Sequence, residues 1–280
     1  LATRAPSDVL GRVETLDLSS FNVVMWLIAI LAAVFIGIAK GGVGGVSMFA
    51  LVLFAYIMPS KLSVGAVLPL LIAGDVLAVW FYRKNAVLHH VWGLLPPTMI
   101  GVAIGAILLH YIPSTVFKPF IGVLILVLIG LQIWRGRTAP AKAAAVPVDP
   151  ATPAPAPPVA SHGPLFSWSM GFLAGVTTML GNAAGAVMTI YLLSMRLAKA
   201  EFVGTGAVFF FIINVAKTPF SAAAGALTWE TLRLNVFLVP AVWAGFFLGK
   251  FVLARMSQKF FEVWMLAATA LAAVVLIFKH

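Results

Sequence analysis

The sequence predicts an all-α, polytopic transmembrane bundle made of two inverted repeats of five apolar segments, each opening with a Gly-rich helical hairpin. Three observations carry that expectation. The composition is strongly apolar, apolar segments fall into two sets around one Ala/Pro-rich stretch, and glycine and proline signatures recur in order across the divide.

Hydrophobic residues make up 62% of the chain and charged residues 9%, with a mean hydropathy of +1.08. A soluble domain is about half apolar and a quarter charged, so this chain has too little polar surface to cover itself in water. The net charge of +10 comes from 18 Lys and Arg against 8 Asp and Glu. These cations sit mostly at segment ends, where they set topology and meet anionic headgroups, and no nucleic-acid partner is expected. The absence of cysteine excludes disulfides, thiol catalysis and Cys-ligated metals.

Residues 1–20 are mixed and polar, without the apolar core of a signal peptide. The first repeat, residues 21–134, contains apolar runs at 21–39, 41–58, 62–82, 91–112 and 117–134, several of them near the roughly 20 residues a bilayer crossing needs. Residues 135–164 are rich in Ala and Pro and read as an extended, solvent-exposed linker. The second repeat, residues 165–280, has runs at 165–180, 183–195, 202–227, 234–254 and 260–278.

Individual positions support duplication. Pro96, Gly101 and Gly105 recur as Pro240, Gly245 and Gly249, each 144 residues on. Gly41 and Gly45 recur as Gly181 and Gly185 at 140, and Gly65 and Asp75 as Gly204 and Asn214 at 139. Such internal symmetry is the signature of a repeat-built transporter fold.

The repeats should be inverted. A continuous helix over residues 21–58 would be about 57 Å long, so the chain must turn back at Lys40-Gly41-Gly42-Val43-Gly44-Gly45. Whether that hairpin crosses fully or dips and returns, it adds an even number of crossings; three further spans make the total odd. An odd repeat places the second half upside down. On this scheme one side holds Arg83, Lys84, Arg135, Arg137, Lys142, Arg196, Lys199, Arg255 and Lys259, and the other Arg4, Arg12, Lys61, Lys118, Arg233 and Lys279. The excess on the first side makes it, and the linker, cytoplasmic in a multi-pass protein of the plasma or inner membrane.

A glycine cluster in an apolar stretch breaks a helix and frees backbone N–H groups, tolerated in a bilayer where they line a protein-enclosed cavity. Free N–H groups at a helix start attract anions. Lys40, Gly41, Gly42, Gly44 and Gly45 therefore form one candidate substrate-binding turn, and Gly181 and Asn182 its counterpart. Gly101, Gly105, Gly245 and Gly249 read instead as close helix packing. Asp75 is the acid placed well inside a span; it either carries a proton or pairs with Lys40 or Lys217. Asn214 and Lys217 join the candidate binding set, Lys217 having snorkelling towards a headgroup as its alternative. Lys118 and Lys250 read as snorkellers. His89, His90 and His110 lack the spaced partners of a metal site. Trp80, Trp92, Trp134, Trp168 and Trp229 lie near segment ends, as an interfacial belt requires.

At this point the chain resembles the TauE/SafE family of sulfite-exporter-like membrane proteins. The resemblance rests on GIAKGGVGG, its partner GNAAG, the segments LLPPTMIGVAIG and VPAVWAGFFLG, and the GALTW turn. It implies export of an anion, with sulfite or sulfonated organic acids as typical substrates. In one departure, VGAVLPLL after the first hairpin lacks the Thr or Ser often present there, whereas VGTGAV carries Thr205; which anion is carried stays open.

The expectation is a secondary transporter, an exporter of a small sulfur oxyanion such as sulfite or an organosulfonate, with Lys40, the two turns, Asn214 and Lys217 lining the site and Asp75 coupling it to protons. A passive anion channel, or a permease for another small solute, is the alternative. An intramembrane enzyme would need HExxH or a Ser/His/Asp set, and neither is present. A metal-cation permease would want several intramembrane carboxylates or histidines. No P-loop is present for ATP, and no cofactor or metal is expected. The expected partners are the small anion and the lipid bilayer, with a homodimer allowed.

Overall fold

Nine helices account for most of the described chain. The computed structural model describes residues 18, 21–58, 60–111, 123, 125–127, 129–130, 133, 163–223 and 225–278. Most of the polar segment 1–20, most of the predicted run 117–134 and nearly all of the linker lie outside them, as do Arg4, Arg12, Lys118, Trp134, Arg135, Arg137, Lys142 and Lys279.

Helix α1 (Val23–Lys40) starts where the Asn22 side chain accepts from the Met25 amide, an N-cap. It is followed by α2 (Ser47–Ile57), α3 (Ser60–Tyr82), a short 3₁₀ turn (Arg83–Asn85) and α4 (Leu88–Tyr111). The second half contains α5 (Pro164–Gly181), α6 (Ala184–Ser194), α7 (Lys199–Ala223), α8 (Trp229–Arg255) and α9 (Gln258–Phe278). Among the described residues there is no strand. Among the described residues, six helices are long and apolar enough to cross a bilayer: α1, α3, α4, α7, α8 and α9. By contrast α2 and α6 have 11 residues each, about 16 Å of helix and roughly half of a hydrocarbon core. The return arm of each hairpin is therefore too short to span as a helix.

Prolines stand inside α3 (Pro69), α4 (Pro96, Pro97), α7 (Pro219) and α8 (Pro240). Membrane helices tolerate them because neighbouring elements satisfy the freed backbone groups. The closest helix approaches follow the glycines. α1 packs on α8, where a Cβ on Gly37 would overlap the Val242 carbonyl and one on Gly245 the backbone of Val34. α4 packs on α5, where Gly101 meets Phe172 and Gly175, and Gly105 meets Val176 and Met179. Both pairs are small-residue contacts of the kind expected for these positions. Between them α3 packs on α7. Gly65 of α3 sits on Ala226, and Gly204 of α7 sits on the Tyr82–Ala86 backbone.

Polarity is arranged inside out relative to a soluble protein. Val23, Leu27, Trp80, Val236, Phe237 and Phe251 are exposed, whereas Asp75, Asn214 and Lys217 are buried. Trp80, Trp92, Trp168 and Trp229 are all more than half exposed near helix ends, and Arg83 and Arg233 lie over the Trp80 and Trp229 rings, as suits an interfacial belt. The chain is a multi-pass membrane protein, helical throughout the elements of its described residues.

Candidate functional site

Helix α1 ends at Lys40 and the chain turns through residues 41–46. Gly42 and Gly45 have φ of +118° and +85°, a region that glycine enters without steric cost. The amides of Gly41, Gly42 and Val43 donate to the carbonyls of Gly37, Ala39 and Ile38, so they close α1. The glycines themselves are packed: Gly41 on the backbone of Phe246, Gly249 and Lys250, Gly42 on Leu253 and Val203, Gly44 on Met265, and Gly45 on Ala268. The Tyr82 hydroxyl donates to the Gly41 carbonyl at 3.1 Å, and the Trp264 indole to the Gly44 carbonyl at 3.1 Å.

What this turn sends into the protein interior is the Lys40 side chain. Its Nζ donates to Asp75 Oδ1 at 2.5 Å and lies 4.9 Å from the centre of the Phe210 ring. Asp75, on α3, is fully buried. Its other oxygen accepts from Asn214 Nδ2 of α7 at 2.7 Å. Of the readings open for Asp75, the ion pair with Lys40 is therefore present.

The second turn is tighter. Asn182 caps α5 with φ of +55°, a conformation that Asn tolerates better than most residues. The amides of Asn182 and Ala183 donate to the carbonyls of Thr178 and Thr177. Lys217 Nζ donates to Asn182 Oδ1 at 2.5 Å and to Thr178 Oγ1 at 3.0 Å. With 2% exposure, Lys217 does not reach a headgroup. Asn182 Nδ2 is buried and has no hydrogen-bond partner among the described residues. Apart from the local backbone, no described atom lies within 4 Å of a Cβ built on Gly181 or Gly185.

The structure thus brings Lys40, Asp75 and Asn214 into one cluster and Lys217, Asn182 and Thr178 into a second. Lys217 stands within electrostatic reach of both Asp75 and Lys40. Lys217 stands one turn along α7 from Asn214, so two lysines accompany one carboxylate, and the combined cluster is one anion short of neutrality when all three are charged. An uncompensated buried charge is costly and calls for a partner.

Sequence reasoning missed Thr178 and Phe210. Thr178 stands one helical turn before Asn182, on the same face of α5, and that spacing was the available signal. Thr205 has a different role: fully buried, it accepts from the Val87 amide at 2.9 Å at the start of α4. Lys250 lies over the Phe81 ring at 3.6 Å.

Residues 29–276 match the family described as sulfite exporter TauE/SafE, a span containing both turns, Asp75 and Lys217. No curated protein and no solved structure matches the chain. Since the match runs through nearly all of a multi-pass helical bundle, the chain belongs to the TauE/SafE sulfite exporter family, a family of membrane transporters and not of enzymes.

Proposed function

We propose that the chain is a proton-coupled secondary transporter that exports a small sulfur oxyanion, such as sulfite or an organosulfonate, across the cell membrane. Its site lies between two inverted repeats, with Lys40, Asn214, Lys217 and Asn182 facing the anion. Gly41, Gly42, Gly44, Gly45 and Gly181 shape the two turns that bring them there, and Asp75 couples the site to protons.

Paired contacts favour the inverted arrangement. The packing of α1 on α8 is answered by that of α5 on α4, and the contact of Gly65 with Ala226 by that of Gly204 with Ala86. Asp75 and Asn214, the residues at equivalent positions, bond to each other across 139 residues of sequence. Two equivalent groups that touch lie close to the axis relating their repeats. For repeats of inverted topology that axis runs in the membrane plane, so this bond falls near the midplane, where substrate sites of such transporters are built.

The reading rests above all on the unfilled amide of Asn182 beside the Lys217 ammonium. A buried donor without an acceptor is rare and costs about 1–3 kcal/mol. An oxyanion supplies several acceptor oxygens and one or two negative charges, matching an unfilled N–H group and an excess of lysine. The purified protein should be screened for thermal stabilisation by sulfite, sulfate, thiosulfate and short sulfonates. An anion present at about 100 times its Kd should add roughly 2.7 kcal/mol to stability. If none of them stabilises the protein, the anion site is wrong. Flux in vesicles that persists without any proton coupling would favour passive conduction instead.

A further inference from the structure

Asp75 is itself an anion seated among the groups an oxyanion would use. Lys40 Nζ fills one of its oxygens at 2.5 Å and Asn214 Nδ2 the other at 2.7 Å. Lys217 lies one turn further along α7 from Asn214. While Asp75 is ionised, one N–H each of Lys40 and Asn214 is committed to it. A second anion brought beside the carboxylate would also be repelled strongly in a medium of low dielectric.

Resting on the anion-site reading above, we infer that the Asp75 carboxylate is a built-in occupant of the substrate's seat, so that a monovalent oxyanion enters only together with a proton on Asp75. The proton forms an O–H bond on one Asp75 oxygen. The Lys40 and Asn214 donors then turn from that carboxyl to oxygens of the incoming anion, and nothing is oxidised or reduced. One carboxylate charge disappears and one substrate charge takes its place, so the charge of the cluster is the same empty and loaded. That constancy suits a site inside a bilayer, where a change of buried charge is what the surroundings oppose.

Two consequences fix the chemistry. Asp75 is the only acid buried among the described residues, so a dianion would arrive without a second group to neutralise. One proton on Asp75 therefore balances one monoanion, hydrogen sulfite or a sulfonate, whereas sulfate would change the charge of the cluster by one. Proton and anion also travel in the same direction, so the transported unit is in effect the undissociated acid, and export runs on the combined outward gradient of the two.

Lys217 is the other group of the cluster that could take up a proton as an anion binds, and Asp75→Asn separates the two. Facing Asp75 are Lys40 from α1 and Lys217 from α7. On its own helix the Tyr82 hydroxyl is held by the Gly41 carbonyl, and the α8 lysine, Lys250, lies over Phe81.

The test uses the purified full chain with methanesulfonate, whose charge does not change with pH, and with sulfite. Methanesulfonate affinity in the wild type should tighten about tenfold for each unit of falling pH while Asp75 is ionised in the free protein, as one proton linked to one anion requires. In weakly buffered solution, one proton should be taken up per anion bound. Asp75→Asn should bind at least as tightly as the wild type at its acid limit, with no pH dependence and no proton uptake. Binding to the wild type that is flat in pH and takes up no proton overturns this inference and leaves the anion site standing. Failure of both anions to bind at any pH overturns the site itself. Should Asp75→Asn not fold, Lys217→Arg decides: a guanidinium stays charged, so proton uptake that persists belongs to Asp75, and uptake that disappears overturns the inference.

Discussion

Lys217 is buried and Lys40 part-buried near Asp75, but their local partners differ and so should the consequences of losing them. Lys40→Ala strands a fully buried carboxylate beside its remaining Asn214 donor. Breaking a buried pair from one side typically costs about 3 kcal/mol or more, and adding Asp75→Asn should recover most of it because the stranded charge is gone. Lys217→Ala leaves no buried acid behind; it removes the donor to Thr178 and Asn182, a loss of about 1–3 kcal/mol. Both single variants should bind sulfite more weakly. Thermal unfolding with and without sulfite measures the two effects together, and unchanged sulfite stabilisation in both variants would reduce the lysines to structural residues. The same residues show what could be read without coordinates. A lysine, an acid or an amide in an apolar run is conspicuous, so Lys40, Asp75, Asn182, Asn214 and Lys217 stand out. Thr178 does not, because helical threonines commonly bond their own backbone, as Thr177 does to Leu173 at 2.7 Å. Nor could the choice of Lys40 as the partner of Asp75 be read, since it depends on the register between helices far apart in sequence.

At the scale of elements, hydropathy located the helices well and their beginnings less well. α8 begins at Trp229, ahead of the apolar run at 234, because Thr228 and Thr231 form a capping box that starts the helix on polar residues. α7 begins at Lys199, with Glu201 accepting from the Ala198 amide at 3.0 Å. The glycines were legible as packing positions but not their partners, since a stripe of small residues states closeness without naming a neighbour. The contact between α1 and α8 makes a sharp test. A Cβ on Gly37 or Gly245 falls on the backbone of the other helix, where no side chain can turn aside. Gly37→Val and Gly245→Val should each lose about 2 kcal/mol or more, read as a lower Tm of the purified protein. Gly93 on α4 is exposed, and apart from the local backbone its Cβ position is clear of described atoms. Gly93→Ala should be neutral or gain up to about 1 kcal/mol from helix propensity. Equal tolerance at all three positions would show that the α1–α8 approach is not set by glycine.

The whole molecule is organised by two halves whose equivalent elements pack reciprocally, and the least tested part of that organisation is its direction in the membrane. Lys84 follows α3 and Ala223 ends α7, and they are separated by the 139 residues that separate Asp75 from Asn214. Both are exposed. If the repeats are inverted, equivalent positions lie on opposite sides; if the halves were parallel, they would share one side. The lysine and arginine distribution then assigns the sides, since Arg83, Lys84, Arg196, Lys199, Arg255 and Lys259 gather at the ends placed with Lys84, and short cytoplasmic loops hold the excess of cations. The chain has no cysteine, so a single introduced thiol reports one position without background. Lys84→Cys should react with a membrane-impermeant maleimide only after cells are opened, and Ala223→Cys should react in intact cells. A label in the 143–160 stretch of the linker should behave like the one at Lys84. Reaction of both single cysteines from the same side would remove the inversion, and with it the placement of the Asp75–Asn214 bond near the midplane. The reverse pattern, with Ala223→Cys inside and Lys84→Cys outside, would keep the inversion and turn the molecule over. The hairpins would then present the same cluster to the opposite compartments, and the gradient of anion plus proton would have to be reckoned from the other face.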